Sequence, residues 1–396
     1  MKDEEVFLMR VAIITENFLP KVDGVTRTLA RLLEHLQTSG HQALLLGPDS
    51  GMEQYAGAEI IGTVGWPFPF YPELKLNFFR PLFMRRLSEF RPDIVHLVDP
   101  VILGAAGLMV ARVLDIPLVS SYHTNLAAYC EHFGFAFLTK PMWSHIRSIH
   151  NQCSLTFCPS LSTAAMLRMQ GFHHLRIWSR GVDTSLFHPQ RKSPKVRTLW
   201  LKEREQPDDK VVLLYAGRLS WEKNLRLLVQ AYRSMDHQHC HLVLVGDGPA
   251  SATIRQELVG LPVTFTGFLS GEELATAYAS ADVFAFPSYT ETFGQVVLEA
   301  MASGLPVVGL LSGGVCDLVD NEQTGLLLDR QRLCEEELVA GYRACLARLV
   351  HDHHLRTVMG QTAFMQAQHH SWAEAMEGLM QGYRAVIERR ETAAVA

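Results

Sequence analysis

The sequence predicts an α/β protein of two doubly wound, parallel-sheet domains. Three observations predict it. The chain has 396 residues, more than one hydrophobic core usually serves. Short apolar runs alternate with spans of helical spacing along most of its length, the pattern of βαβ units. The alternation breaks off at residues 185–210, where Arg191-Lys-Ser-Pro-Lys195 to Gln206-Pro-Asp-Asp209 is charged and contains proline, and then restarts. That break reads as a linker or hinge. The expected domains are 1–188 and 189–368, with 369–396 as a C-terminal helix.

In the first domain, residues 10–15, 42–46, 93–98, 117–121, 155–158 and 175–178 are short apolar runs suited to buried parallel strands. Residues 25–38, 103–114, 138–150 and 163–170 have helical spacing, the first stopped by Ser39-Gly40. In the second domain the expected strands are 211–215, 241–245, 263–265, 283–286 and 306–309. The helices are 224–235, 251–258, 272–279 and 295–303, with a long amphipathic helix over 372–390. Residues 1–8 read as a frayed extension.

Composition narrows the class. Hydrophobic residues make up 48% and charged residues 19%, which argues for a globular chain over a disordered one. A net charge of -5 gives no electrostatic footing for nucleic acid. Seven cysteines without a CxxC pair suggest reduced thiols and a cytoplasmic setting. The first nine residues lack the apolar core of a signal peptide, and no apolar run reaches membrane-spanning length.

Three strand-to-helix loops carry candidate chemistry, since doubly wound sheets bind ligands at the carboxyl ends of their strands. Asp23-Gly24 opens a helix, whose amide N–H groups suit a phosphate; taken alone, a glycine in such a loop is more often a plain turn. Gly217-Arg218-Leu-Ser-Trp-Glu-Lys223-Asn224 sets two cations at one loop. That suits a diphosphate, although a solvated basic pair has the same spacing. In Glu291-Thr-Phe293-Gly294-Gln-Val-Val-Leu-Glu299, Phe293-Gly294 opens a helix and the two carboxylates can each accept bonds from a diol. Glu299 sits among Val296, Val297, Leu298, Ala300 and Met301, so a charge there needs a reason.

The set Gly217-Arg218…Lys223 with Glu291-x7-Glu299 resembles the retaining glycosyltransferases of family 4. The resemblance extends to Thr15-Glu-Asn-Phe-Leu-Pro-Lys-Val-Asp-Gly-Val25, Ser121-Tyr-His-Thr124, Arg180-Gly-Val-Asp183, Gly246-Asp-Gly-Pro249 and Thr266-Gly-Phe-Leu269. It implies a GT-B fold, two Rossmann-like domains facing a cleft, with the acceptor side on 1–188, the nucleotide sugar on 189–368, and 369–396 crossing back to the first domain. It implies that Gly24 meets the donor phosphate through its backbone and that Arg218 and Lys223 bind the diphosphate. Glu299 would hold the ribose. Glu291 and the backbone of Phe293 and Gly294 would hold the donor sugar, His123 would stand near the transferred sugar, and the backbone of Phe268 and Leu269 would line the base. The family often has two glycines in its first loop, and the first of these is Asp23 here.

Within the family, Tyr71-Pro-Glu-Leu74, Lys140-Pro-Met-Trp143 and the stretch 178–188 look like two subgroups, GDP-mannose-dependent α-mannosyltransferases and UDP-sugar-dependent sulfoquinovosyl diacylglycerol synthases. Phe293, where sulfolipid enzymes tend to have leucine, leans toward the mannosyltransferases, and both donors stay open. The reaction implied is hexosyl transfer with retention to a lipid or other hydrophobic hydroxyl acceptor. It would proceed by same-face displacement in which the leaving diphosphate oxygen takes the acceptor proton.

No cofactor is expected. The sequence has no Asp-x-Asp and no GxxxxGK, and His351-Asp-His353-His354 and His237-Gln-His239-Cys-His241 lie in polar contexts better read as surface than as metal sites. Phe78, Phe79, Phe83 and Met84 interleave with Arg80, Arg85, Arg86 and Arg91. That stripe suits either an anionic membrane surface, making the protein peripheral, or a packed helix with a basic outer face. The rival of another class is a nucleotide-sugar-binding protein without transfer; an epimerase or phosphorylase on the same fold is a second, without an evident pyridoxal-phosphate lysine.

Overall fold

A computed structural model describes residues 8–20, 23–68, 71–132, 134–201 and 210–395. The expected frayed extension at 1–8 lies almost wholly outside the described residues, and so does 202–209 of the expected linker. The chain divides into one unit of residues 1–179 with 372–396 and a second of residues 180–371.

The first unit is built on an eight-stranded sheet. Its strands are β1 (Arg10–Thr15), β2 (Gln42–Pro48), β3 (Gln54–Tyr55), β4 (Ala58–Thr63), β7 (Ile94–Val98), β8 (Leu118–Ser121), β9 (Leu155–Cys158) and β10 (Leu175–Ile177). A separate hairpin pairs β5 (Gly65–Phe68) with β6 (Tyr71–Asn77). The order β10-β9-β8-β7-β1-β2-β4-β3 is parallel except for the edge strand β3. Both faces are covered, as parallel sheets require. On one face Val11 and Ile13 pack against Leu29, Leu32 and Leu33 of helix Gly24–Thr38 and Met376, Leu379 and Met380 of helix Trp372–Val395. On the other, Ala12 and Ile14 pack against Phe83 and Leu87 of helix Pro81–Phe90 and Leu103 and Leu108 of helix Leu103–Val113.

The second unit has a six-stranded parallel sheet of β11 (Val211–Ala216), β12 (Cys240–Val245), β13 (Val263–Gly267), β14 (Val283–Phe286), β15 (Val307–Leu310) and β16 (Gly325–Leu328). Its order, β13-β12-β11-β14-β15-β16, is that of a dinucleotide-binding domain, with the switch point between β11 and β14. The corresponding point in the first sheet lies between β1 and β7.

Two features differ from the sequence reading. The first unit gives way to the second at Ser179–Arg180, not at 188/189. The stretch read as a linker is also partly second-unit structure. Helix Pro194–Trp200 buries Trp200, and Arg197 donates to the carbonyls of Ser280 (2.9 Å) and Lys210 (2.8 Å) and to Asp282 Oδ2 (2.8 Å). Its charges mislead because a guanidinium with three acceptors can be buried.

Candidate functional site

In the second unit the loop after β11 is tight. Gly217 (φ +148°) and Gly246 (φ +123°) let two loops touch, since a Cβ on Gly246 would lie 2.0 Å from the Gly217 carbonyl oxygen. Such φ values favour glycine. The Tyr215 hydroxyl donates to the Arg218 carbonyl at 3.0 Å. Asn224, in the left-handed region at φ +55°, donates through its side chain to the Pro287 carbonyl at 3.1 Å. That bond ties the loop after β11 to the loop after β14, across the switch point.

The two loops also meet through charge. Lys223 Nζ lies 2.6 Å from Glu291 Oε1, and the Ser288 hydroxyl donates to the same oxygen at 3.0 Å. Both members of the pair are partly buried, with side-chain exposures of 23% and 18%. The loop after β15 closes from the other side. The Gly314 amide donates to the Glu291 carbonyl at 2.8 Å, and a Cβ on Gly313 or Gly314 would lie 2.3 Å or 2.4 Å from backbone atoms of Glu291 or Phe293. Gly294, at φ +96°, caps helix Gln295–Ala302, and the Phe293 ring is buried. Any contact from Phe293 to a ligand is therefore through its backbone. Glu299 is buried at 3% exposure, with the Tyr278 hydroxyl 3.3 Å from Oε2. Phe268, just beyond β13, is 66% exposed, and Leu269 beside it is partly buried.

In the first unit the capping arrangement bears on Gly24. Asp23 Oδ1 accepts the amides of Val25 (3.0 Å) and Thr26 (2.9 Å), and Thr26 returns a hydroxyl bond in a capping box. A carboxylate thus occupies those two amides, and the phosphate role read for Gly24 falls to Gly24's own N–H. His123 is buried, with Nε2 2.7 Å from Ser121 Oγ. Its backbone is held by Asp99, whose Oδ1 accepts the amides of His123 (2.6 Å) and Thr124 (3.1 Å) while Oδ2 accepts the Thr124 hydroxyl (2.6 Å). Desolvation pushes the Asp99 carboxyl up to about 6, against the lowering effect of these bonds. Glu16, right after β1, accepts the amides of Val101, Ile102 and Gly104 at 3.1, 2.8 and 3.2 Å. Desolvation raises its pKa despite them.

Asp99 and the Gly313-Gly314 pair were not singled out from the sequence, and Glu16, Asn224 and Ser288 stood in its motifs without a role of their own. A signal existed for some of them: Asp99-Pro100 directly follows β7 and Gly313-Gly314 lies in the loop just after β15, positions like those of the three candidate loops. In the His237–His241 cluster the rings are engaged locally, His237 Nε2 lying 2.7 Å from the Tyr232 carbonyl and His241 Nε2 2.9 Å from Thr264 Oγ1. Among the described residues no group of three or more His, Cys, Asp or Glu is placed to hold a metal ion.

Residues 22–186 match the model of glycosyltransferase family 4, and residues 196–364 that of the glycosyl transferases group 1. A GDP-mannose-dependent alpha-mannosyltransferase of Corynebacterium glutamicum is 37% identical over 96% of this chain and 89% of its own length. This chain is a family 4 glycosyltransferase. The glycosyltransferase is also 33% identical to the sulfoquinovosyl transferase SQD2 of Arabidopsis thaliana, over 92% of this chain and 71% of the relative. Among solved structures, sucrose-phosphate synthase from Thermosynechococcus elongatus superposes with a TM-score of 0.78 at 21% identity, covering 96% of this chain and 100% of its own. Anabaena Alr3699/HepE in complex with UDP and glucose gives 0.73 at 19%, covering 95% and 100%. The glycosyltransferase has the GT-B fold, with a Rossmann-like sheet in each unit.

Proposed function

We propose that this glycosyltransferase moves a mannosyl group from GDP-mannose to a lipid hydroxyl, with retention of the anomeric configuration and without a metal ion. The observation that carries the donor is the likeness to the Corynebacterium mannosyltransferase over nearly the whole length of both chains. The metal-free mechanism is supported by Arg218 and Lys223 at one strand-to-helix loop of the second unit. A leaving diphosphate gains negative charge as the sugar bond breaks, and fixed cations can stabilise it where other enzymes use a metal. Glu299 holds the ribose hydroxyls and Glu291 the donor sugar. Phe293 and Gly294 offer their backbone to the sugar, Phe268 and Leu269 line the base, and Gly24 offers its amide to a phosphate. The role that the family gives its histidine, contact with the transferred sugar, falls on His123.

The leaving oxygen takes the acceptor proton, so no side chain need become covalently bound to the sugar. A second reading, transfer from a UDP-sugar to diacylglycerol, is favoured by the likeness to the Arabidopsis sulfoquinovosyl transferase. Incubation with GDP-mannose, UDP-glucose and UDP-sulfoquinovose, each with a bacterial lipid extract, separates the two. A labelled lipid product from GDP-mannose alone is expected. Product from a UDP-sugar alone would replace the first reading by the second, and donor binding without product from any would leave a binding protein.

The lipid acceptor implies work at a membrane surface. Val64, Trp66 and Phe78 are exposed at 70%, 71% and 50%. Thr63 donates to the Phe78 carbonyl and Arg80 to that of Gly62, which sets these apolar tips beside a cation. Phe83 and Leu87 are core residues, and Arg86 pairs with Glu59 and Glu89. The docking face is therefore narrower than the stripe suggests: Trp66, Phe78, Met84 and Arg80. Among the described residues no helix is long and apolar enough to cross a membrane.

A further inference from the structure

Four side chains of the first unit form a continuous hydrogen-bonded chain. The Tyr383 hydroxyl lies 2.6 Å from His96 Nδ1, His96 Nε2 lies 2.8 Å from Ser121 Oγ, and Ser121 Oγ lies 2.7 Å from His123 Nε2. Tyr383 and His96 are at 0% exposure, Ser121 at 1% and His123 at 7%. Phe157 and Trp178 pack around His96, and the Trp178 ring meets His123 edge-on at 5.6 Å. Tyr383 comes from the helix Trp372–Val395, which follows the whole second unit in sequence. That helix approaches closely because its residue 382 is glycine: a Cβ there would lie 2.5 Å from Phe157 Cζ.

Counting protons gives the chain a direction. Tyr383 has one hydroxyl proton, and its only hydrogen-bond partner among the described residues is His96. If His96 Nδ1–H donated to the phenol oxygen, the phenol proton would be buried without an acceptor, which costs more than the bond returns. Tyr383 therefore donates. A neutral His96 accepting at Nδ1 carries its proton on Nε2 and donates to Ser121. Ser121 has one proton and no partner besides the two histidines among the described residues, so it donates onward to His123 Nε2. A His123 protonated at Nε2 would face Ser121 with two donors and strand the serine proton. We infer that the chain Tyr383→His96→Ser121→His123 fixes His123 as the tautomer protonated at Nδ1, making the C-terminal helix a positioning element for that histidine. The hydrogen bond at one imidazole nitrogen decides what the other presents, so His123 offers Nδ1–H as a donor, the form suited to a sugar hydroxyl oxygen. The tautomer itself follows from the geometry; only its effect on turnover rests on the role proposed for His123.

The test uses the full-length protein with isotope-labelled histidine and long-range nitrogen–proton correlation spectra. The His123 signals are identified by their loss in His123→Asn. The wild type is expected to show His123 with Nδ1 protonated and Nε2 bare. Tyr383→Phe removes only the hydroxyl, and Ser121→Ala only the serine link; each is expected to shift His123 toward the other tautomer. Turnover of Tyr383→Phe is expected to fall roughly tenfold, with the donor KM within about twofold. Wild-type His123 protonated at Nε2 overturns the inference without any variant, and so do His123 signals unchanged in both variants. Shifted signals with unchanged turnover support the chain and remove the sugar contact from His123's role.

Discussion

Replacing Lys223 with alanine separates what this cation does in the resting protein from what it does during transfer. In the free protein its ammonium is bonded to Glu291 at 2.6 Å, and Ser288 also serves that oxygen. A hydrogen bond to a charged group contributes about 1.5–3 kcal/mol. Exposures of 23% and 18% admit water, and Glu291 keeps Ser288, so the expected loss of stability is about 1–2 kcal/mol. A Lys223→Ala/Glu291→Ala double variant should lose less than the sum of the single losses, because removing both partners leaves no carboxylate behind. Catalysis should suffer more. One lost charge-stabilising donor lowers kcat by about 10²–10³, or about 2.7–4 kcal/mol. Because charge on the diphosphate is greatest in the transition state, affinity for the nucleoside diphosphate should fall less than kcat. Steady-state kinetics, calorimetric titration with the nucleoside diphosphate, and thermal unfolding give the three numbers. A variant with kcat within threefold of wild type would remove Lys223 from transition-state stabilisation, as would one that loses only affinity.

Glu299→Ala should weaken binding of the free nucleoside diphosphate by about 1.5–3 kcal/mol, measured by calorimetry, and unchanged affinity would remove the ribose assignment. Asp99→Asn addresses the loop that holds His123. The folded-state pKa of Asp99 is about 6 against an ordinary 3.8. Between these values the folded protein keeps a proton that the unfolded chain has released, so wild-type stability falls as pH rises through that window and levels off above it. The wild type should therefore lose on the order of 1–3 kcal/mol relative to Asp99→Asn between about pH 4 and 6, read by denaturant titration; a constant difference would contradict it. Trp66→Ser/Phe78→Ser should reduce co-sedimentation with anionic vesicles while Arg80→Glu makes the remaining binding less salt-sensitive. Equal sedimentation of all three proteins would reject the docking face.

The central strands were legible because Val11–Ile14 or Leu213–Tyr215 are buried on both faces and so read as unbroken apolar runs. β4 was not, since Glu59 and Gly62 interrupt it. β16 and helix Glu335–His351 were missed as well, the first because it opens on Gly325 with only Leu326–Leu328 as an apolar run and the second for its opening Glu335-Glu-Glu337 and mixed composition. The donor-side candidates stood out in the sequence because Arg218, Lys223 and Glu291 lie at strand-to-helix loops and Glu299 is a carboxylate within an otherwise apolar helix. The supports of His123 were not, because Tyr383 and His96 lie 287 residues apart and no local periodicity reports such a pairing. Asp23 marks the opposite case: its departure from the family's glycine was visible, and its role as a helix cap came from the structure.

Purified protein, GDP-mannose labelled with carbon-13 in the sugar and a lipid extract, incubated with excess EDTA, should yield a mannosyl lipid whose one-bond C1–H1 coupling reports the α configuration of the donor. No labelled lipid without added Mg²⁺ or Mn²⁺, together with restored product when either is supplied, would contradict the metal-free mechanism, and a β-linked product would contradict retention.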